Sequence, residues 1–225
     1  GIYWGEVSQE NSVEFDICYL SSFVDYPIES ARSNNLVELW KADTVGSKML
    51  ELNLKRLIGD EGYSVIIALK YDNSEKEMSY FYDIFGDSVT YQTSNRSDFS
   101  TYKAIDKSRL SLTGVSTCAV EAMGFGKRAL LVNSLGYSGY RIPGAGYCYL
   151  EQPQYNVFRE RLSILLSMTD SEFKRELQKE RKFLMNYDLD DLPHKRIRRE
   201  IKKIHTEKGL LNVEKHWIFI QCLNL

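Results

Sequence analysis

The chain has 225 residues, enough for one generous domain with a sizeable core, or one domain with a tail. Its 29 basic and 31 acidic side chains nearly cancel, so bulk charge gives no signal for nucleic acid. No apolar run approaches the roughly 18 residues that a spanning helix needs, and no secretory signal is read at the start. Cys18, Cys118, Cys148 and Cys222 are scattered without a Cys-x-x-Cys pair, and His194, His205 and His216 lack metal-ligand spacing. The expectation is free thiols in a reducing cytosol, and no metal. Gly1-Ile2-Tyr3-Trp4, without a methionine, reads as the start of a fragment.

Val13 to Leu20 alternates apolar and polar residues before turning apolar, which predicts a strand. Ser21 to Asn34 reads as a polar connection. Leu36, Leu39, Trp40, Met49, Leu50, Leu52, Leu54 and Leu57 predict a helix over 35–58, with Gly46 a point of interruption and Gly59 and Gly62 at its end. Tyr63 to Leu69 is short, apolar and rich in β-branched residues, as a strand buried on both faces should be. Ser74 caps a helix running to Phe85, with Glu77 completing a capping box. A strand over 88–92, a polar loop over 93–97 and a short helix over 98–107 follow. Strands are then expected at 110–113 and 128–133, with a short apolar helix over 118–123 between them. Ser134 to Gly146 is a glycine-rich loop, and Tyr147 to Leu150 a last short strand. Beyond it, helices are expected near 154–168, 170–186 and 193–206. Trp217 to Ile220 reads either as a strand or as a docked tail.

Strand and helix thus alternate along residues 13–133, which implies βαβ units. The expected fold is α/β: a doubly wound, mostly parallel, Rossmann-like sheet over residues 1–152, with a helical extension over 153–225 packed on it. Ligands of such sheets bind beyond the carboxyl ends of the strands, so the loops to search follow Leu69, Gln92, Thr113 and Asn133.

Residues 113–127, TGVSTCAVEAMGFGK, carry the most chemistry. A strand ends at Thr113, Gly114 begins a turn, and Ser116-Thr117 stand at the head of a helix. Unpaired backbone N–H groups and roughly half a positive charge collect there, which suits a phosphate without a lysine or a metal. Glu121 lies one turn beyond Thr117 on the same face, within reach of ribose hydroxyls. A plain N-cap is the other reading of the same residues.

The succession Ser116-Thr117, Glu121-Ala122, Gly126-Lys127 and Leu130 resembles the donor-binding, C-terminal lobe of GT-B glycosyltransferases of bacterial surface-carbohydrate biosynthesis. Ala68-Leu69-Lys70, Tyr80-Phe81, Phe85-Gly86 and Ser94-Asn95-Arg96 agree with it upstream, and the likeness covers about residues 60–135. It implies a nucleotide-sugar donor whose phosphates rest on Ser116 and Thr117 beside Gly114, with Glu121 near the ribose. The base would lie near the loop from Thr93 to Arg96, which contains Asn95. Sialyl- and Kdo-type transferases have a His-Pro pair after the strand corresponding to 63–69. This chain has Lys70-Tyr71, and Lys70 either stabilises the leaving group or is a solvated strand-end lysine. The resemblance further implies a cytoplasmic enzyme at or near the inner face of the membrane. Its acceptor would be a glycan or a lipid-linked sugar, held by an N-terminal acceptor lobe outside this chain. No catalytic base is evident, and no cofactor beyond the donor is expected.

A nucleotide-sugar epimerase or hydrolase, or a non-catalytic nucleotide-binding domain, would share the same fold. GxGxxG after the first strand and GxxxxGK[ST] are both absent, which argues against classical dinucleotide and P-loop use. Arg141, in the glycine-rich loop, is a possible contact for an anionic sugar. Lys195 to His205 carries six basic residues against Glu200, with Ile197, Ile201 and Ile204 on one stripe. That stripe either packs on the core or rests on an anionic membrane. Beyond this helix no nucleic-acid motif is present.

Overall fold

The structure, a computed structural model, describes residues 12–142, 146–184 and 193–207. The chain divides into two compact units, residues 1–186 and 187–225.

In the first unit, β1 (Phe15–Leu20), β2 (Val65–Asp72), β3 (Thr90–Ser94), β4 (Ser108–Thr113), β5 (Arg128–Asn133) and β6 (Tyr149–Glu151) form one sheet. Their order is β3-β2-β1-β4-β5-β6, and every pairing is parallel. The chain winds outward from β1 to β3, crosses back beside β1 as β4, and winds outward again to β6. This is the doubly wound α/β architecture that the strand–helix alternation predicts, with helices on both sides of the sheet. Its topological switch lies between β1 and β4, which pair with Ile17 opposite Leu110 and Tyr19 opposite Leu112.

The first crossing contains α1 (Ile28–Ser33), α2 (Val37–Lys41) and α3 (Ser47–Glu61). α4 (Glu75–Phe85), α5 (Ser100–Asp106) and α6 (Thr117–Gly124) make the next three, and α7 (Tyr155–Ser167) and α8 (Asp170–Leu184) follow β6. Side-chain alternation along β1 shows how the layers attach. Tyr19 is fully buried toward α3 and α4, donating to Glu51 at 3.2 Å, with its ring 5.9 Å from Phe81. Cys18 turns to the opposite face, where Cys118 of α6 is close enough to raise its thiol pKa further after burial has done so. A central strand covered on both faces has to be apolar throughout, which is why Ile17 to Leu20 contains no charge.

Several local features depart from the sequence reading. The 21–34 connection contains α1. Gly46 does not break the long helix: a π-helical segment, Ala42–Gly46, carries α2 into α3. Gly62 does end it, in the left-handed conformation at φ 72°, its N–H donating to Ile58 O. The capping box is only half formed. Ser74 Oγ accepts from Glu77 N at 3.2 Å, but the Glu77 carboxylate turns away to the end of β2. β2 runs on to Asp72, so Lys70 and Tyr71 belong to the strand and not to the loop after it.

The described cysteines Cys18, Cys118 and Cys148 form no disulfide, while Cys222 and the 217–220 segment lie outside the described residues. In the second unit, α9 (Pro193–Glu207) is a helix, and no described helix is long and apolar enough to cross a membrane.

Candidate functional site

The carboxyl ends of β1 and β4 are tied by Thr113 Oγ1, which donates to Leu20 O at 3.2 Å. Past this tie β1 leads into α1–α3 and β4 into α6, so the connections diverge at the topological switch, where sheets of this kind hold their ligands in a crevice; Ser22 and Gly114 lie at its expected position. A methyl group on Gly114 would lie 3.5 Å from Ser47 Oγ, 3.8 Å from Ser22 Oγ and 3.9 Å from Val132 O. Gly114 therefore keeps a small space open among two hydroxyls and a carbonyl. Ser22 is only 5% exposed, and its Oγ has no hydrogen-bond partner among the described residues. A buried hydroxyl left unpaired costs about 1–3 kcal/mol, a cost that a bound acceptor or donor relieves.

α6 begins beside this crevice. Ser116 takes the extended N-cap conformation, yet its side chain makes no capping hydrogen bond. The hydroxyl lies instead beside the Cys118 thiol, which burial pushes up and Tyr102 and Ser116 pull back. Thr117, the first helical residue, is exposed. Ser116 is thus the N-cap residue by position and backbone, without the side-chain capping hydrogen bond.

Of the other residues singled out from sequence, Glu121 shares α6 with Thr117 but accepts a hydrogen bond from Tyr102 of α5 at 2.9 Å. Burial, and then the neighbouring Cys118 and Glu121, raise the Tyr102 pKa. Asn95 is exposed at the end of β3, two strands beyond β1, and organises its own loop. Its N–H donates to Ser100 Oγ at 2.8 Å, and its side-chain oxygen accepts from Ser97 at 2.8 Å. Lys127 of the Gly-Lys pair lies at the opposite, amino end of the sheet, paired with Asp106. Arg141 is held by Glu151 at 2.7 Å.

Lys70 reaches over the end of β1, its Nζ donating to Phe23 O at 3.2 Å. It thereby approaches a residue that sequence reasoning missed. Asp43 projects from the π-helical segment, half-buried, and accepts from Tyr140 of the loop after β5. Burial raises its pKa, and the Tyr140 hydrogen bond and Lys70 charge offset part of that rise. Partners from β2 and from the β5 loop converge on this carboxylate, and those elements flank β1 and β4. Asp43 therefore lies on the side of the sheet where its strands end, between Lys70 and Tyr140 and one turn before Ser47. π-segments inside α-helices often mark functional positions, because they push a side chain out of register.

Glu77, fully buried, anchors the floor on the β2 side, accepting from Lys70 N and Tyr71 N at 2.9 Å each and from Ser21 Oγ. Beyond it an open groove of about 520 Å³ runs past the ends of β2 and β3, lined by Tyr71, Asn73, Met78, Tyr82 and Thr93.

A scan against protein-family models, a search of curated proteins and a search of solved structures each find no match. What the structure shows is the coarse, Rossmann-like α/β fold.

Proposed function

We propose that this chain binds a nucleotide-sugar at the β1/β4 crevice and serves as the donor-binding half of a glycosyltransferase. The observation that carries the reading is the buried, unpartnered Ser22 hydroxyl facing Gly114 at the head of α6. A phosphate oxygen there would satisfy Ser22, and would meet the free N–H groups and positive end of α6 with Ser116 and Thr117 at its rim. Strands stand about 4.8 Å apart, so a ligand anchored between β1 and β4 reaches the Tyr71–Tyr82 groove within about 10 Å. The base would stack there, beside Thr93. Lys70 would balance charge on the departing phosphate. Asp43, its pKa raised by burial, would take the proton of the attacking acceptor hydroxyl as that oxygen bonds to the sugar and the nucleotide leaves. The acceptor would be a glycan or lipid-linked sugar presented by a further lobe.

Thermal unfolding with millimolar CMP, UDP, GDP, CDP and ADP tests the reading. A ligand at about a hundred times its Kd adds roughly 2.7 kcal/mol, several degrees for a domain of this size. A shift with one nucleotide, lost in Ser116→Ala/Thr117→Ala, supports it. A shift with none, from a folded protein, removes it. Binding without turnover of any nucleotide-sugar would leave the non-catalytic reading.

A further inference from the structure

The basic stripe on α9 has two sequence readings, and the exposure of its isoleucines separates them. Ile197 is 60% exposed and Ile201 43% exposed, so neither is spent on a core. Around them Lys195, Arg198, Lys202 and Lys203 are exposed. At 100° per residue, Ile197 and Ile201 share a narrow arc, flanked by Arg198 and Lys202 on one side and by Arg196 and Lys203 on the other.

The helix carries a strong imbalance. Six basic residues between 195 and 203 face Glu200 alone, which pairs with Lys203 at 3.0 Å and lies 4.0 Å from Arg199. Lys195 and Arg199, Arg198 and Lys202, and Arg199 and Lys203 are like-charged at i,i+4, a spacing that destabilises a helix in water. A helix of 15 residues with an exposed apolar stripe is marginal on its own. A surface that takes the isoleucines and neutralises the lysines and arginines removes both penalties together.

We propose that α9 docks on a bilayer containing acidic phospholipid, lying in the interface plane. Its isoleucines enter the acyl boundary and its basic arc meets the headgroups. Lipid headgroups supply a continuous anionic plane over an apolar layer, and this matches a basic arc beside an apolar stripe. A nucleic acid would match the charge but leave the isoleucines in water. The inference stands apart from the nucleotide site and holds whether or not that site binds a sugar donor.

Flotation of the full chain with vesicles of phosphatidylcholine, alone or mixed with phosphatidylglycerol, is the test. The expected result is binding to the mixed vesicles only, weakening as salt rises. Each of Lys195→Gln, Arg198→Gln and Lys203→Gln should weaken it roughly fivefold. Ile197→Ser/Ile201→Ser should abolish it without lowering the thermal midpoint of the first unit. The proposal is overturned by no binding to the mixed vesicles or by equal binding to both compositions. It is also overturned if the serine variant binds undiminished, or if a vesicle-indifferent chain binds duplex DNA. A concentration-dependent dimer that dissociates in the serine variant, with no vesicle binding, would assign the stripe to self-association instead. The wild-type comparison between the two compositions decides the matter even if a variant fails to fold.

Discussion

Ser22 and Gly114 lie together beyond the carboxyl ends of β1 and β4, a methyl group on the glycine would sit 3.8 Å from Ser22 Oγ, and that hydroxyl is buried without a hydrogen-bond partner among the described residues. This pairing makes stability and binding move in opposite directions. Ser22→Ala removes an unsatisfied polar group, so the free protein should gain about 1 kcal/mol or more. The same change should shrink the nucleotide-induced rise in melting temperature. Scanning calorimetry with and without ligand reads both quantities. A variant that loses stability and keeps full binding would mean the hydroxyl has no part in the site.

Asp43 and Tyr140 link the π-helical segment to the loop after β5. Asp43→Asn keeps a side-chain oxygen to accept from Tyr140 and removes only the base. Turnover of a nucleotide-sugar, measured as nucleotide release, should fall by about 10²- to 10⁴-fold, with the nucleotide-induced thermal shift unchanged. Because burial raises the Asp43 pKa, wild-type turnover should be lost on the acid side beginning above the usual carboxylate range. Loss of nucleotide binding in Asp43→Asn would make Asp43 a structural residue of the crevice.

Glu77 is a buried carboxyl group with three donors: Ser21 Oγ, Lys70 N and Tyr71 N. Glu77→Ala strands two backbone N–H groups and opens a cavity, so it should cost about 3–5 kcal/mol. Glu77→Gln keeps acceptors for only part of the set and should cost less. Urea unfolding of both variants measures the difference. An alanine variant within about 1 kcal/mol of wild type would mean that water replaces the carboxylate without penalty.

Much of this fold is legible in the residues because short apolar strands and punctuating glycines leave little freedom. Tyr63 to Leu69 and Arg128 to Asn133 read as buried strands and are found as β2 over Val65–Asp72 and β5 over Arg128–Asn133, while Gly62 and Gly86 stop their helices with positive φ. The head of α6 is equally legible, since Ser116-Thr117 stand where periodicity switches from 2 to 3.6. Ser22, Ser47 and Asp43 are not. Ser22 matters only once β4 is known to return beside β1, and strand order is a long-range property. Ser47 and Asp43 sit in what periodicity reads as one amphipathic helix, where a π-segment leaves no compositional mark except Gly46. The half-used capping box at Ser74 shows the same limit. Glu77 fits the local motif, but two N–H groups near the end of β2 and the Ser21 hydroxyl hold its carboxylate there.

Glu51 lies one turn beyond Ser47 on the buried face of α3, 1% exposed, between the hydroxyls of Tyr19 at 3.2 Å and Tyr80 at 2.5 Å. Burial raises its pKa from 4.5 to about 7, against the opposing effects of both hydrogen bonds and of Lys48. A carboxyl whose folded pKa exceeds its unfolded one binds more protons in the native state between those two values. Its contribution is therefore fully present below about pH 4.5 and is lost as pH rises to about 7. At about 1.4 kcal/mol per pKa unit the loss is on the order of 3 kcal/mol. Glu51→Gln cannot titrate, so its stability relative to wild type should climb by that order across the window and stay level above it. Urea unfolding of both proteins at a series of pH values isolates the effect, because every other carboxylate is common to the pair. Parallel curves across that range would mean Glu51 is already ionised when buried, with its two tyrosine hydroxyls and Lys48 sufficient to hold the charge.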